Sequence, residues 1–376
     1  MKLNSIQMLR AVAALLVVYT HSVSQMGIFA LGWQQRTPAR ISLGTFGVDL
    51  FFVISGFIIY LSAGRLSGST ASFSFLWHRF RRINPAYYAA VLLTVLTWIP
   101  SLIRHRRPPI TGWQALSWTI LLPFPGDPPR ALFQAWSLYF EWLFYLVFFL
   151  LILIRSQRKA LMLCCVLCGL SLTGWLLRND LNGLAVFYTD PLMLEFLLGI
   201  IIGAAYRRWT PCRTTACCLL LPGIALGLFF ICSGYFDFLA TLNPSPSLRY
   251  LHAICWGGAA ALIVAGCVFL EKTNGFVSHP TFVRRLTFVP RLARILLLLG
   301  DASYSIYLFH MIVFGWIAAF YLRVGFFLDA DIAIPLHAAI AVAGSLLFYF
   351  WVEKPLLKWL GKYDAAGAIP PRSEQP

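Results

Sequence analysis

Residues 3–26 read LNSIQMLRAVAALLVVYTHSVSQM, an apolar run long enough to cross a bilayer as a helix, interrupted by Arg10 and His21. Eleven steps of about 100° return these two side chains to nearly the same face of that helix. A cation at the centre of a membrane helix opposes insertion by roughly 2.5 to 3.5 kcal/mol, so the pair is expected to face a protein interior or a wet cavity. The run is therefore read as the wall of a reaction channel. It does not read as a cleaved leader, because it lacks a basic region set apart from a short apolar stretch and carries an arginine in its middle.

The rest of the chain repeats the apolar pattern. Of 376 residues, 59% are hydrophobic and only 12% charged, which is too apolar for a soluble domain of this size. Continuous apolar runs of helical length, rather than the alternating ten-residue strands of an outer-membrane barrel, predict an all-α polytopic membrane protein. About ten transmembrane helices are expected, at roughly 5–26, 44–62, 85–103, 134–154, 160–177, 189–206, 215–233, 250–270, 296–322 and 332–353. No hydrophilic stretch is large enough to bury a core of its own. Residues 1–361 are thus expected to form a single transmembrane domain, followed by a polar, disordered tail at 362–376.

A net charge of +16 would suggest nucleic acid in a soluble protein, but here the cations punctuate apolar spans instead of forming one stripe. Most of them, including Arg79, Arg81, Arg82, Arg207, Arg208, Lys354 and Lys358, fall in alternate connections, which places both termini in the cytoplasm. Arg104, Arg106, Arg107 and Arg130 break the rule. The nine cysteines lie mostly within spans, and Cys165 and Cys168 have no second ligand pair, so no metal site is expected.

Between the second and third spans, FSFLWHRFRRINP (73–85) sets apolar Phe73, Leu76, Trp77, Phe80 and Ile83 against His78, Arg79 and Arg82. This reads as an interfacial amphipathic helix ended by Pro85, either anchored to anionic headgroups or presenting Arg79 and Arg82 as a phosphate clamp.

Five blocks in this order carry a resemblance: LRAVAALLVVYTH (9–21), GVDLFFVISGFII (47–59), FLWHRFRRINPAYY (75–88), WSLYFEWLFYL (136–146), and LGDASYSIYLFH (299–310) followed by VEKP (352–355). The chain resembles the acyltransferase-3 family of integral-membrane O-acyltransferases. Its opening IQMLRA, where many members have Asp-Gly before Leu-Arg, looks like the exopolysaccharide-acetylating branch. The resemblance implies acetyl-CoA as cytoplasmic donor and a carbohydrate acceptor, free or lipid-linked. The expected location is the bacterial cytoplasmic (inner) membrane, in contact with its lipids.

Carried over residue by residue, Arg10 and His21 match the family's paired Arg and His, Arg79 and Arg82 match its Arg-x-x-Arg, and Glu141 falls in its WSL-x-x-Glu block. The chemistry agrees: a sugar hydroxyl attacks a thioester poorly unless a base takes its proton, and a neutral imidazole does this near pH 7. His21 is the expected base, with Glu141 or Asp49 as the carboxylate that orients it. Arg10 lies about 16 Å from His21 along the helix axis, so the two must act differently. Arg10, Arg79 and Arg82 are expected to hold the anionic parts of CoA. Ser303, Tyr307 and His310, at i, i+4 and i+7, form a polar stripe suited to acceptor binding or to interhelical ties. Glu353 is expected to tie the last helix to an arginine.

Other acyl-transfer designs do not fit. There is no G-x-S-x-G elbow, and none of the seven histidines is followed five residues later by Asp. The rival function, a polysaccharide or lipid transporter or flippase, should show two similar halves with paired broken helices, and these are not evident. For a scaffold in glycan export, a buried Arg10 and His21 would serve no purpose.

Overall fold

The computed structural model describes residues 3–29, 42–103, 110–123, 131–154, 158–177, 184–233, 246–274, 289–325 and 328–367. Among these there is no strand. The long helices are α1 (Asn4–Phe29), α2 (Ser42–Ala63) and α3 (Ser69–Ile103), with α4 (Gly112–Ile120) short between α3 and α5 (Trp136–Leu153). There follow α6 (Lys159–Leu176), the one-turn α7 (Leu184–Tyr188), α8 (Met193–Arg208), α9 (Arg213–Ser233) and α10 (Pro246–Asn274). The C-terminal group is α11 (Val289–Asp301), α12 (Ser303–Val324), α13 (Ala330–Phe348) and α14 (Lys354–Gly367). Nine described helical segments are long and apolar enough to cross a membrane, and the chain is an all-α, multi-pass membrane protein.

The expected third span, 85–103, is the remaining one. Pro85 does not end the preceding amphipathic segment: the two join in the 35-residue α3, whose arginine-bearing first half makes it less apolar than its neighbours. A proline costs a helix one backbone bond, but surrounding helices can hold the chain in line. Here the Tyr304 hydroxyl on α12 donates to the Ile83 carbonyl at 2.8 Å, two residues before the proline. The expected ninth span is likewise two helices, α11 and α12, separated at Ala302. The last span continues through a π-helical turn, Tyr349–Glu353, into α14, which passes the expected boundary at 361 and runs to Gly367. Arg104, Arg106, Arg107 and Arg130 lie outside the described residues.

Small residues put α1 at the centre. Ala11, Ala13 and Ala14 are fully buried, and α1 touches α2, α11, α12 and α13. Without a hydrophobic drive between helices in lipid, close backbone approach supplies dispersion contacts instead. The same device joins α2 to α8: a Cβ on Gly56 would sit 2.0 Å from the Phe196 carbonyl oxygen, and one on Gly199 equally close to that of Val53. Gly203 serves the same packing, since a Cβ there would sit 2.9 Å from the Tyr60 ring. At the periphery α9 exposes Leu221, Leu228 and Phe229, as a lipid-facing helix should.

Candidate active site

A cavity of about 650 Å³ opens among α1, α2, α3, α5, α8, α10 and α12. It reaches the helix ends marked by Leu3, Arg207 and Lys272, called here the basic end. Among the described residues, Arg10, Arg79, Arg82, Arg207 and Lys272 line it, with Glu141 as the one carboxylate in the wall.

Three of the cations are tied to neighbours. Arg207 donates to the Leu61 carbonyl at 2.7 Å and lies over the Tyr60 ring. Lys272 donates to the carbonyls of Tyr206 and Trp209. Arg79 donates to Ser62 Oγ at 2.9 Å, with its guanidinium carbon 5.4 Å and 5.7 Å from the ring centres of Phe75 and Tyr145. Arg10 and Arg82 differ: among the described residues neither has a hydrogen-bond or ion-pair partner, although Glu353 lies within Coulombic reach of both. A cation such as Arg10, kept inside a membrane-crossing helix without a counter-ion, is costly, and with the exposed Arg82 close by the two guanidiniums suit an anion supplied from elsewhere.

Glu141 is held from two sides. Its Oε1 accepts from Ser55 Oγ at 2.8 Å and from the Tyr145 hydroxyl. Glu353, turned inward by the π-helical turn, accepts from Ser305 Oγ rather than forming the expected arginine tie; Arg82 and Arg10 stand near without contact. Such turns often place a side chain that a regular helix would direct elsewhere.

Beyond the cavity stands a pair of histidines. The rings of His21 and His310 stack with centroids 5.2 Å apart, and Phe133 closes edge-on against His21. Tyr307, which lines the cavity, lies 6.3 Å ring to ring from His310 and connects the two regions. Its hydroxyl donates to the Gln134 carbonyl at 2.5 Å and meets Ser137 Oγ at 2.6 Å, while Gln134 Nε2 donates to the Leu308 carbonyl. His310 Nδ1 faces the Ile306 carbonyl at 2.8 Å and must donate to it, which leaves Nε2 as a lone pair. That Nε2 is buried without a partner among the described residues.

The structure thus brings Arg10, Arg79, Arg82, Glu141, Ser303 and Tyr307 onto one cavity and sets His21 with His310 next to it. It does not seat either proposed carboxylate on His21. Glu141 is occupied with Ser55 and Tyr145, and Asp49 points to the other side of α2, where its Oδ1 is 3.1 Å from His252 Nε2. The physical reason is the pitch of α2: Val48, Phe51, Phe52 and Ser55 share the cavity face, which turns Asp49 toward α8 and α10. Apart from the cysteines, one donor atom from each of Asp49, Glu195 and His252 can be chosen so that all three lie close together. Ser55, Tyr145, Arg207 and Lys272 were not singled out from sequence. Glu195 carried a signal there, a carboxylate that, with Asp190 near its start, interrupts the apolar stretch 189–206.

A cation-lined cavity inside a multi-pass bundle, with a histidine pair beside it, is a site suited to an anionic group. The family model described as an acyltransferase domain matches residues 3–354, and the chain belongs to that family of acyltransferases. It is 30% identical over 333 residues to the exopolysaccharide production protein ExoZ of Rhizobium meliloti (strain 1021), covering 86% of this chain and 93% of that protein. It is 26% identical, also over 333 residues, to the peptidoglycan O-acetyltransferase OatA of Listeria monocytogenes, covering 81% of this chain and about half (48%) of the relative. No solved structure matches the chain.

Proposed function

We propose that this acyltransferase moves an acetyl group from acetyl-CoA, entering at the basic end, to a hydroxyl of a polysaccharide or a lipid-linked saccharide. In this reading the basic end faces the cytoplasm of a bacterial inner membrane, as the charge bias of the connections predicts. The observation that carries it is the pairing of two guanidiniums without a partner among the described residues, Arg10 and Arg82, with histidines one aromatic ring further on. CoA is a long donor with phosphates at one end and a thioester at the other, which suits that separation.

The chemistry is acyl transfer. The acceptor oxygen attacks the thioester carbonyl carbon as His21 takes the hydroxyl proton; the C–S bond then breaks, and the proton passes to the CoA thiolate. Arg10, Arg79 and Arg82 hold the phosphates. With Asp49 turned away, Glu141 serves the cavity instead, fixing Tyr145 and Ser55 so that the Tyr145 ring supports Arg79. His310, its Nδ1 committed to the helix, packs against the His21 ring and keeps it from turning toward lipid.

The test is transfer from radiolabelled acetyl-CoA by the purified protein to an isolated exopolysaccharide, read beside CoA binding. His21→Ala should lower turnover by about 10² to 10⁴, the usual worth of a general base, with CoA affinity preserved. Retained turnover would remove His21 from the mechanism, and no transfer from acetyl-CoA by the wild type would remove the donor.

A further inference from the structure

Across α2 from the cavity, three titratable side chains meet where α2, α8 and α10 pack together. Asp49 is 1% exposed and Glu195 not at all. One donor atom from each of Asp49, Glu195 and His252 can be chosen so that all three lie within 4.8 Å of one another. Among the described residues, Asp49 Oδ2 and both oxygens of Glu195 have no hydrogen-bond partner. Room has been made for the carboxylate: a Cβ on Gly257 of α10 would sit 2.8 Å from Glu195 Cγ and 3.3 Å from its carboxyl carbon and Oε1. The adjacent ion pair is self-contained, since Asp190 takes Arg249 at 2.6 Å and the Leu192 N–H at 3.0 Å. On the remaining side the Trp256 ring stacks on His252, and Phe46 packs on Trp256.

Two carboxylates facing each other in a helical core, with no donor among the described residues for three of their four oxygens, carry more negative charge than His252 beside Asp49 could balance even if protonated. We propose that Asp49, Glu195 and His252 bind a divalent first-row transition-metal ion, Mn²⁺, Fe²⁺ or Zn²⁺. The charges then cancel, two carboxylates against one dication with a neutral imidazole. Metal–ligand bonds of about 2.0 to 2.2 Å put neighbouring donors roughly 3 Å apart. The His252 Nε2 to Asp49 Oδ1 separation of 3.1 Å is of that size. The imidazole speaks against Mg²⁺ and Ca²⁺, which favour all-oxygen shells. Such an ion would clamp three helices behind the wall that presents Phe51 and Ser55 to the cavity.

The experiment needs no acyl donor. The full chain is purified through a tag without histidines, and its Mn, Fe and Zn are measured by mass spectrometry. About one ion per chain is expected in the wild type, falling at least about tenfold in Glu195→Gln and Asp49→Asn. Chelation should lower the thermal midpoint of the wild type, and return of the same ion alone should restore it, with no response in Glu195→Gln. Wild-type protein that carries no ion, and whose midpoint is unmoved by Mn²⁺, Fe²⁺ or Zn²⁺, overturns the proposal in favour of two carboxyls sharing a proton. Should the variants fail to fold, the wild-type content and its rescue by one ion decide the question.

Discussion

Along one helix, α2, Phe51 and Ser55 look into a cavity lined, among the described residues, by five cations and one carboxylate, while Asp49 looks the other way toward a second carboxylate, Glu195, and an imidazole. Both regions lie within a bundle where uncompensated charge is expensive, and each carries an excess of one sign. They differ in access. The cavity reaches the helix ends and can be balanced by a ligand that comes and goes, whereas the acidic cluster is walled by Trp256 and Phe46 and must be balanced by something that stays. In a membrane interior, an imbalance of charge points to a missing partner, and its exposure tells whether that partner is a substrate or a fixture.

Reversing the sign on the open side should have the largest effect. Arg10→Glu places a second carboxylate near Glu353 and removes an anion-binding guanidinium, so kcat/KM for acetyl-CoA should fall by more than about 10². A smaller loss would mean that Arg10 is balanced within the chain, like Arg207. The double change Arg79→Ala, Arg82→Ala should weaken CoA binding by about ten- to a hundredfold, or roughly 1.4 to 2.8 kcal/mol, and flatten its dependence on salt. Calorimetry at two ionic strengths checks both, and an unchanged affinity would retire the phosphate clamp.

Gly56→Ala acts on the helix that the two regions share. Its Cβ would run into the Phe196 backbone, which cannot move away, so a loss of about 1 to 3 kcal/mol is expected, read as a lower thermal midpoint. Smallest is Tyr145→Phe, which deletes one hydrogen bond to Glu141 while keeping the ring under Arg79. It should cost about 0.5 to 1.5 kcal/mol, seen as a less than about tenfold rise in KM; a collapse of turnover would instead make that hydroxyl part of the chemistry.

Much of the cavity could be read from the chain. Arg10, Arg79, Arg82 and Glu141 stand out because charged residues in or next to apolar runs are rare, and helical pitch gives their facing within one element. Asp49 shows where that reading ends. Its rarity marked it as functional, but helical pitch relates it only to other residues of α2, and the neighbours that decide its role, Glu195 and His252, lie 146 and 203 positions away. Arg207 and Lys272 were hidden for the opposite reason, since cations at helix ends look like ordinary topology signals. Pro85 misled because its cost is local, whereas the contacts that hold α3 come from neighbouring helices, α5 and α12 among them.

The sequence by itself determined that the chain is a helical membrane protein of the acyltransferase kind, because hydropathy, run length and ordered motifs are properties of the chain alone. The tertiary structure decided which charges share a space. It put Glu141 among the arginines, His21 against His310, and Asp49 with Glu195 and His252. The physical reason is that Coulombic and hydrogen-bonding energies depend on distances between helices, and those are set by where alanine and glycine let the backbones touch.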